Sequence, residues 1–279
     1  MISTELQKKI DKAIKIIRMA AGKNIIEVCF SGGKDSEVIL ELTKMAGVKY
    51  RAIYKNTTID PPGTISHCMK KGVEIMRPKK TFLELIRSSG MPTRRARFCC
   101  DKLKEYKVLD IAVQGIRCSE SVARAERYDP DDPIKCRFYG SKKNHVNVAY
   151  PILDWTENDV RDFILARGIK CHHLYYDSEG NFHVERRLGC VGCPLQSDNG
   201  VSDFLKNPKL FKQIVKATKD WFDTHTHTKS HAKFGTVYGL IAHNLFYKTY
   251  NDWFIAENNM FEKIDWKKKL EDYFRIELP

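Results

Sequence analysis

The stretch Ser31-Gly32-Gly33-Lys34-Asp35-Ser36 limits what this chain can fold into more than any other. The apolar run Ile25-Ile26-Glu27-Val28-Cys29-Phe30 before it predicts a buried strand. After it, Glu37-Val38-Ile39-Leu40-Glu41-Leu42 continues as an apolar helical face. The stretch is therefore a loop at a strand-to-helix turn. Its glycines permit a tight turn and close approach of a ligand. The helix that follows points unsatisfied N–H groups and a positive dipole end at whatever lies there. Ser31, Ser36 and Lys34 add donors, so phosphate is the natural ligand. An ordinary tight turn is the bland alternative, and the agreement of loop and flanks disfavours it. The spacing is neither G-x-x-x-x-G-K-[ST] nor G-x-G-x-x-G.

Residues 48–54 read as a second strand, so strand, helix and strand make a βαβ unit and a parallel sheet. The loop after it, 56–62, is expected to face the ligand beside residues 31–36, because ligands of open α/β sheets bind beyond the carboxyl ends of strands. Asp60 in that loop suits Mg²⁺ or a ribose, and equally a plain turn acid. Helices are expected at 4–21, 64–76, 81–89 and 156–167, and a further strand at 108–114. At the end of that strand, Gly115, Arg117, Glu120, Ser121 and Arg124 form a second anion site. Residues 129–147 are polar and irregular, which predicts a surface loop bordering the substrate. From residue 201 onward, aromatic and aliphatic residues recur at helical spacing. The expected division is therefore 1–200, a nucleotide-binding domain with a cysteine metal site, and 201–279, a helical extension.

Of the 279 residues, 42% are hydrophobic, enough for a buried core. No apolar run reaches membrane-spanning length, and residues 1–10 lack a signal-peptide core, so a cytoplasmic protein is expected. Formal net charge is +13, and residues 70–107 carry twelve Lys/Arg against four Asp/Glu, a net of +8. Such clustering favours a polyanion, nucleic acid foremost, over a solvated face or a pocket for one nucleotide. Nine cysteines in such a chain point to metal or catalysis rather than disulfides. Cys190-x-x-Cys193 has the spacing of a metal knuckle, and Cys99-Cys100 is the other close pair. Together they would make a Cys₄ site, a [4Fe–4S] cluster in preference to zinc, because adjacent cysteines can serve neighbouring irons. A chain without metal stays open. Cys29 reads as a core residue. His172-His173 and His225-x-His227 read as surface or capping residues ahead of metal ligands.

Taken together, the loop at 31–36, Cys99-Cys100 followed by Lys102 and Lys104, Gly115-x-Arg117-x-x-Glu120-Ser121-x-x-Arg124, Pro151-x-x-x-Trp155-Thr156 and Leu174-Tyr175 leading to Cys190-x-x-Cys193-Pro194 resemble the phosphoadenosine-phosphosulfate (PAPS) reductase-like family of the PP-loop ATP pyrophosphatases. The resemblance implies an α/β fold, a doubly wound parallel sheet of the adenine nucleotide alpha hydrolase-like type. It implies ATP with Mg²⁺ as the ligand, bound by Ser31, Gly32, Gly33, Lys34, Asp35, Ser36, Asp60, Gly115, Arg117, Glu120, Ser121 and Arg124, with Asp35, Lys34 and Arg117 catalytic. It also implies a [4Fe–4S] cluster on Cys99, Cys100, Cys190 and Cys193. Sulfonucleotide reductases of the family lack an intact SGGxDS loop and use a cysteine near the C-terminus, whereas residues 194–279 contain no cysteine. The chain looks more like the DndC-like and tRNA-thiolating branch. The leading expectation is thus an ATP-dependent adenylating, sulfur-transfer enzyme acting on tRNA or DNA, with a cysteine desulfurase as sulfur donor and a homo-oligomer possible. A sulfonucleotide reductase and a nucleotide-binding module without turnover are the competing readings.

Overall fold

The computed structural model describes residues 2–139, 141–258 and 264–279; Met1, Gly140 in the expected 129–147 loop and 259–263 in the expected helical tail lie outside them. The first helix, α1 (Thr4–Ala21), starts at the Ser3 cap, whose side chain accepts from Leu6 N, and buries Leu6, Ile10, Ala13, Ile16, Ile17 and Ala21. Strand β1 (Ile26–Cys29) leads through the glycine loop into α2 (Lys34–Ala46), which stops at Gly47. Then come β2 (Tyr50–Lys55), α3 (Thr64–Lys70), β3 (Glu74–Met76), α4 (Phe82–Ser89), α5 (Phe98–Leu103) and β4 (Ile111–Val113). Next are α6 (Val122–Arg127), β5 (Ile134–Tyr139), β6 (Ser141–Ala149) and α7 (Glu157–Ala166). Helix α7 opens with the expected capping box of Thr156 and Asp159.

The six strands form one sheet in the order β3-β2-β1-β4-β6-β5. All neighbours are parallel except β5, which runs antiparallel to β6. Strand β1 pairs with β2 on one side and β4 on the other, so the chain winds away from it in both directions. This is the doubly wound α/β sheet that was expected, with an antiparallel edge. The end of β1 is the switch point, where such sheets open a crevice.

Two expectations fail. Residues 74–76, read as the end of a helix, form edge strand β3: α3 ends at Lys70 and Gly72 follows it at φ 68°. Residues 129–147, read as a loop, hold the β5–β6 hairpin. Edge strand β5 has half-exposed to exposed residues on both faces and offers no apolar alternation. Strand β6 does alternate, buried Val146 and Val148 with exposed His145 and Asn147, over too short a stretch to outweigh the polar residues before it.

The chain folds as two compact units, each discontinuous in sequence. One comprises residues 1–56, 60–78 and 103–189 and holds the whole sheet. Its core gathers α1, α2, the strands and α7, with Trp155 and Phe163 fully buried. The other comprises residues 57–59, 79–102 and 190–279, a division that differs from the 1–200 and 201–279 expected. It holds α4, α8 (Val201–Lys206), α9 (Pro208–Thr224), α10 (Lys229–Phe234), α11 (Val237–Phe246), α12 (Tyr250–Glu257) and α13 (Trp266–Phe274). Helix α4 lies along α9, with Gly90 against the Trp221 ring and Arg87 Nε donating to Asp220 at 3.0 Å.

Candidate nucleotide site

The loop after β1 is closed by its own hydroxyls. Ser36 Oγ donates to Gly33 O at 2.7 Å and lies 3.3 Å from Ser31 Oγ, which accepts from Gly33 N at 3.3 Å. Gly33 caps α2 with extended backbone and no side chain, so the helix presents its free N–H end there. Lys34 N donates to Tyr175 Oη at 3.1 Å, and burial pushes the Tyr175 phenol up to about 12, keeping it a neutral hydroxyl.

The end of β4 comes against the first turn of α2. A Cβ on Gly115 would lie 2.7 Å from Asp35 O, so a side chain there would strike backbone. This approach lets buried Arg117 reach Asp35, Nε to Oδ1 at 2.7 Å, while its Nη1 donates to Ser119 Oγ at 3.0 Å. Glu120 accepts from Arg117 N and pairs with Arg124.

Between loop and strand end lies a cavity of about 370 Å³. Ser31, Gly33, Lys34, Asp35, Ser36, Gly115, Glu120 and Arg124 line it, so most of the expected residues from both stretches meet in one place. Burial pushes the Lys34 ammonium down, and Asp35 and Glu157 partly oppose that. Burial also lowers Arg124, and the charge of Arg187 acts in the same direction on both groups. Such a set of crowded cations relaxes when an anion enters. Arg117 stands behind the lining and holds Asp35. Ser121 caps α6 by accepting from Arg124 N. Gly32 packs towards Leu188 and Thr64. Asp60 accepts from Tyr54 Oη at 2.5 Å and is not part of this lining.

Sequence reasoning did not single out Gln114, Arg187 or Leu188, nor give Tyr175 a role in the lining. The Arg186-Arg187 pair just before Leu188-Gly189-Cys190 was the available signal. Cys29 also faces the cavity, but burial first, and Glu27 next, push its thiol up to about 12, so it is no nucleophile at neutral pH.

The four cysteines of the expected metal site fall in the other unit. Cys99 and Cys100 are successive residues of α5, whose side chains project about 100° apart. The Cys99 thiol is pushed up, first by its hydrogen bond with Cys100, then by burial and by Cys100 and Cys190 nearby. Cys190 Sγ donates to Thr57 Oγ1 at 3.5 Å. Gly192 lies at φ 70° with its amide on Asp203 Oδ2 at 3.0 Å. Metal ligation needs thiolates converging on one point. Among the described residues no group of three His, Cys, Asp or Glu is placed to hold an ion. The expected four-thiolate set does not fit a cluster or zinc as it stands, and no chemistry is derived through either. His172 and His225 act as caps: His172 Nδ1 accepts from Leu174 N, and His225 Nδ1 contacts Trp221 O. No helix among the described residues is long and apolar enough to cross a membrane.

A glycine-serine loop at the switch point of a doubly wound sheet, opening on a cation-lined cavity, defines a nucleotide-using protein of the PP-loop class. The chain belongs to the phosphoadenosine phosphosulfate reductase domain family, whose pattern matches residues 25–196. It is 28% identical over 238 residues to an uncharacterized protein of Methanocaldococcus jannaschii, covering 78% of this chain and 53% of that one. It is 27% identical over 181 residues to a tRNA(Ile)-lysidine synthase of Francisella philomiragia, covering 58% of this chain and 43% of the synthase. The chain thus spans about half the length of these relatives or less. A phosphoadenylyl-sulfate reductase of Candida auris, solved with phosphate, matches at TM-score 0.42 and 16% identity, covering 66% of this chain and 97% of that one.

Proposed function

We propose that the chain binds ATP with Mg²⁺ at the 31–36 loop and cleaves it between the α- and β-phosphates. An acceptor oxygen attacks the α-phosphorus, pyrophosphate leaves and the acceptor becomes adenylated. A sulfur nucleophile from a donor protein then displaces AMP. The observation that carries this reading is the intact Ser31–Ser36 loop, with Lys34 and the Arg117-braced Asp35, opening on the cation-lined cavity. In this scheme the N–H groups of the loop and Lys34 cradle pyrophosphate, while Arg124 and Arg187 meet the charge developing at the α-phosphate. Nucleic acid is the proposed acceptor. The net charge of +13 supports it, as does the tRNA-modifying relative. A cluster or zinc on Cys99, Cys100, Cys190 and Cys193 has no part in the proposal, because no three of those thiols converge as ligands.

The test is release of AMP and pyrophosphate from ATP. Ser36→Ala and Lys34→Ala should each lower it about 100-fold or more, the scale expected when a preorganised donor is lost. Normal α–β cleavage by both variants would remove the pyrophosphatase reading. Sulfite release from adenylylsulfate with thioredoxin would move the chain to the reductase reading instead.

A further inference from the structure

A second, larger cavity of about 820 Å³ lies along α2 from its first turn to its last, and the proposed chemistry does not use it. One wall is a single stripe of α2: Glu37, Glu41 and Lys44, at positions i, i+4 and i+7. The facing wall is a stripe of α3 that carries His67, Lys70 and Lys71 at its end. The segment after α7 closes the third side with Arg167 and Lys170. Five Lys/Arg therefore line the groove against two glutamates.

Both glutamates are already engaged. Glu37, 2% exposed, meets His67 Nε2 at 2.5 Å and Lys71 Nζ at 2.9 Å, which fixes α2 to α3. Glu41 pairs with Arg167 at 2.7 Å and Lys44 at 4.0 Å. Among the described residues this leaves Lys70 and Lys170 without an ion pair. Basic residues in a last helical turn have a bland explanation in the helix dipole. It covers Lys44 and Lys70 but not Lys170, which lies beyond α7. Leu40, Ile169 and Tyr176 give the floor apolar patches between the charges.

The geometry points to this groove as a track for single-stranded nucleic acid, with phosphates on the lysines and a base or sugar on the apolar floor. The inference rests on the nucleic-acid acceptor proposed above and supplies it with a binding surface. The α2 stripe from Glu37 to Lys44 is about 10 Å long at 1.5 Å per residue. Phosphates of an unstacked single strand stand further apart than those of a duplex strand, so this length suits about two of them, one for each lysine left without an ion pair.

The experiment titrates the whole protein with a fluorescent single-stranded RNA 12-mer across a salt series, in wild type and in the double variant Lys70→Gln/Lys170→Gln. Both side chains are exposed, so the fold is not at stake. Expected are at least fivefold weaker binding at low salt and a log–log salt slope smaller by about 1.4, or ~0.7 for each lost phosphate contact. Unchanged affinity and slope overturn the inference. So does wild-type binding weaker than about 10⁻⁴ M, or a poly-glutamate peptide that binds more tightly than the RNA and is itself weakened in the variant. ATP cleavage without nucleic acid is measured alongside and should be equal in both proteins. A wild type that binds RNA but releases neither AMP nor pyrophosphate from ATP, with the RNA present as well as absent, refutes the pyrophosphatase reading and spares the groove. One that cleaves ATP but fails the titration does the reverse.

Discussion

Arg117 shows how much of the nucleotide site depends on one side chain. It is 3% exposed and spans from the end of β4 to Asp35 in the first turn of α2. Removing one partner of a buried pair costs about 3–5 kcal/mol. Arg117→Gln should therefore cost about 3 kcal/mol by denaturant unfolding and lower ATP cleavage along with it; unchanged unfolding would mean that Asp35 needs no brace. The pairing was partly legible, since Gly115-x-Arg117 and the loop were each read as anion sites. That Arg117 would turn to Asp35 was not, because the contact joins residues 82 apart. His172 carries a different prediction. It is fully buried, and burial first, then His173 and His67, push its imidazole down to about 4 from 6.5. The fold holds the ring neutral, so its contribution is complete above pH 6.5 and is lost as pH falls towards 4. The urea midpoint should drop over that window by about 2 kcal/mol equivalent more in wild type than in His172→Gln. Parallel pH profiles would refute this.

At the scale of elements, the long and strongly patterned pieces were legible and the edges of the sheet were not. Helix α7 carries its own start signal in Thr156 and Asp159, and α2 its own stop in Gly47. Strand β3 has three residues and β5 sits at an exposed edge, so neither needs an apolar face that a sequence pattern would reveal. The Cys190–Cys193 turn was recognised by its spacing, but its surroundings were not. Gly192 lies against Phe204, and a Cβ there would stand 2.1 Å from the ring. Its φ of 70° also belongs to the left-handed region. Gly192→Ala should cost about 2–4 kcal/mol, overpacking and backbone strain together, and should loosen the turn against α8. Thermal unfolding reads the loss, and a shift within error would mean that Phe204 moves aside freely.

For the molecule as a whole, composition suggested a second domain beginning near residue 201, and the chain instead builds its helical unit from three separate segments. The cysteine pattern linked residues 99–100 with 190–193, and these do share a unit. No signal along the sequence marks α4 as a partner of α9, because what joins them is one helix face laid on another. A protein cut after residue 200 would leave that face of α4, with Phe82, Leu85 and Ile86, without its cover. Residues 1–200 expressed alone should bind a hydrophobic dye and aggregate, whereas the full chain unfolds cooperatively. A soluble, cooperatively folding 1–200 fragment would refute the assignment of α4 to the second unit.

The two units exchange chain five times, including the three-residue excursion at 57–59. That has a consequence for heredity. A module appended at one end of a gene can be gained, lost or traded by a single breakpoint. One threaded through its neighbour at several places cannot, since every one of the five junctions leaves at least one unit incomplete. The expectation is a helical unit inherited together with the sheet, so that relatives which keep the nucleotide loop but carry a different companion should differ at residues 79–102 as well as in the C-terminal helices.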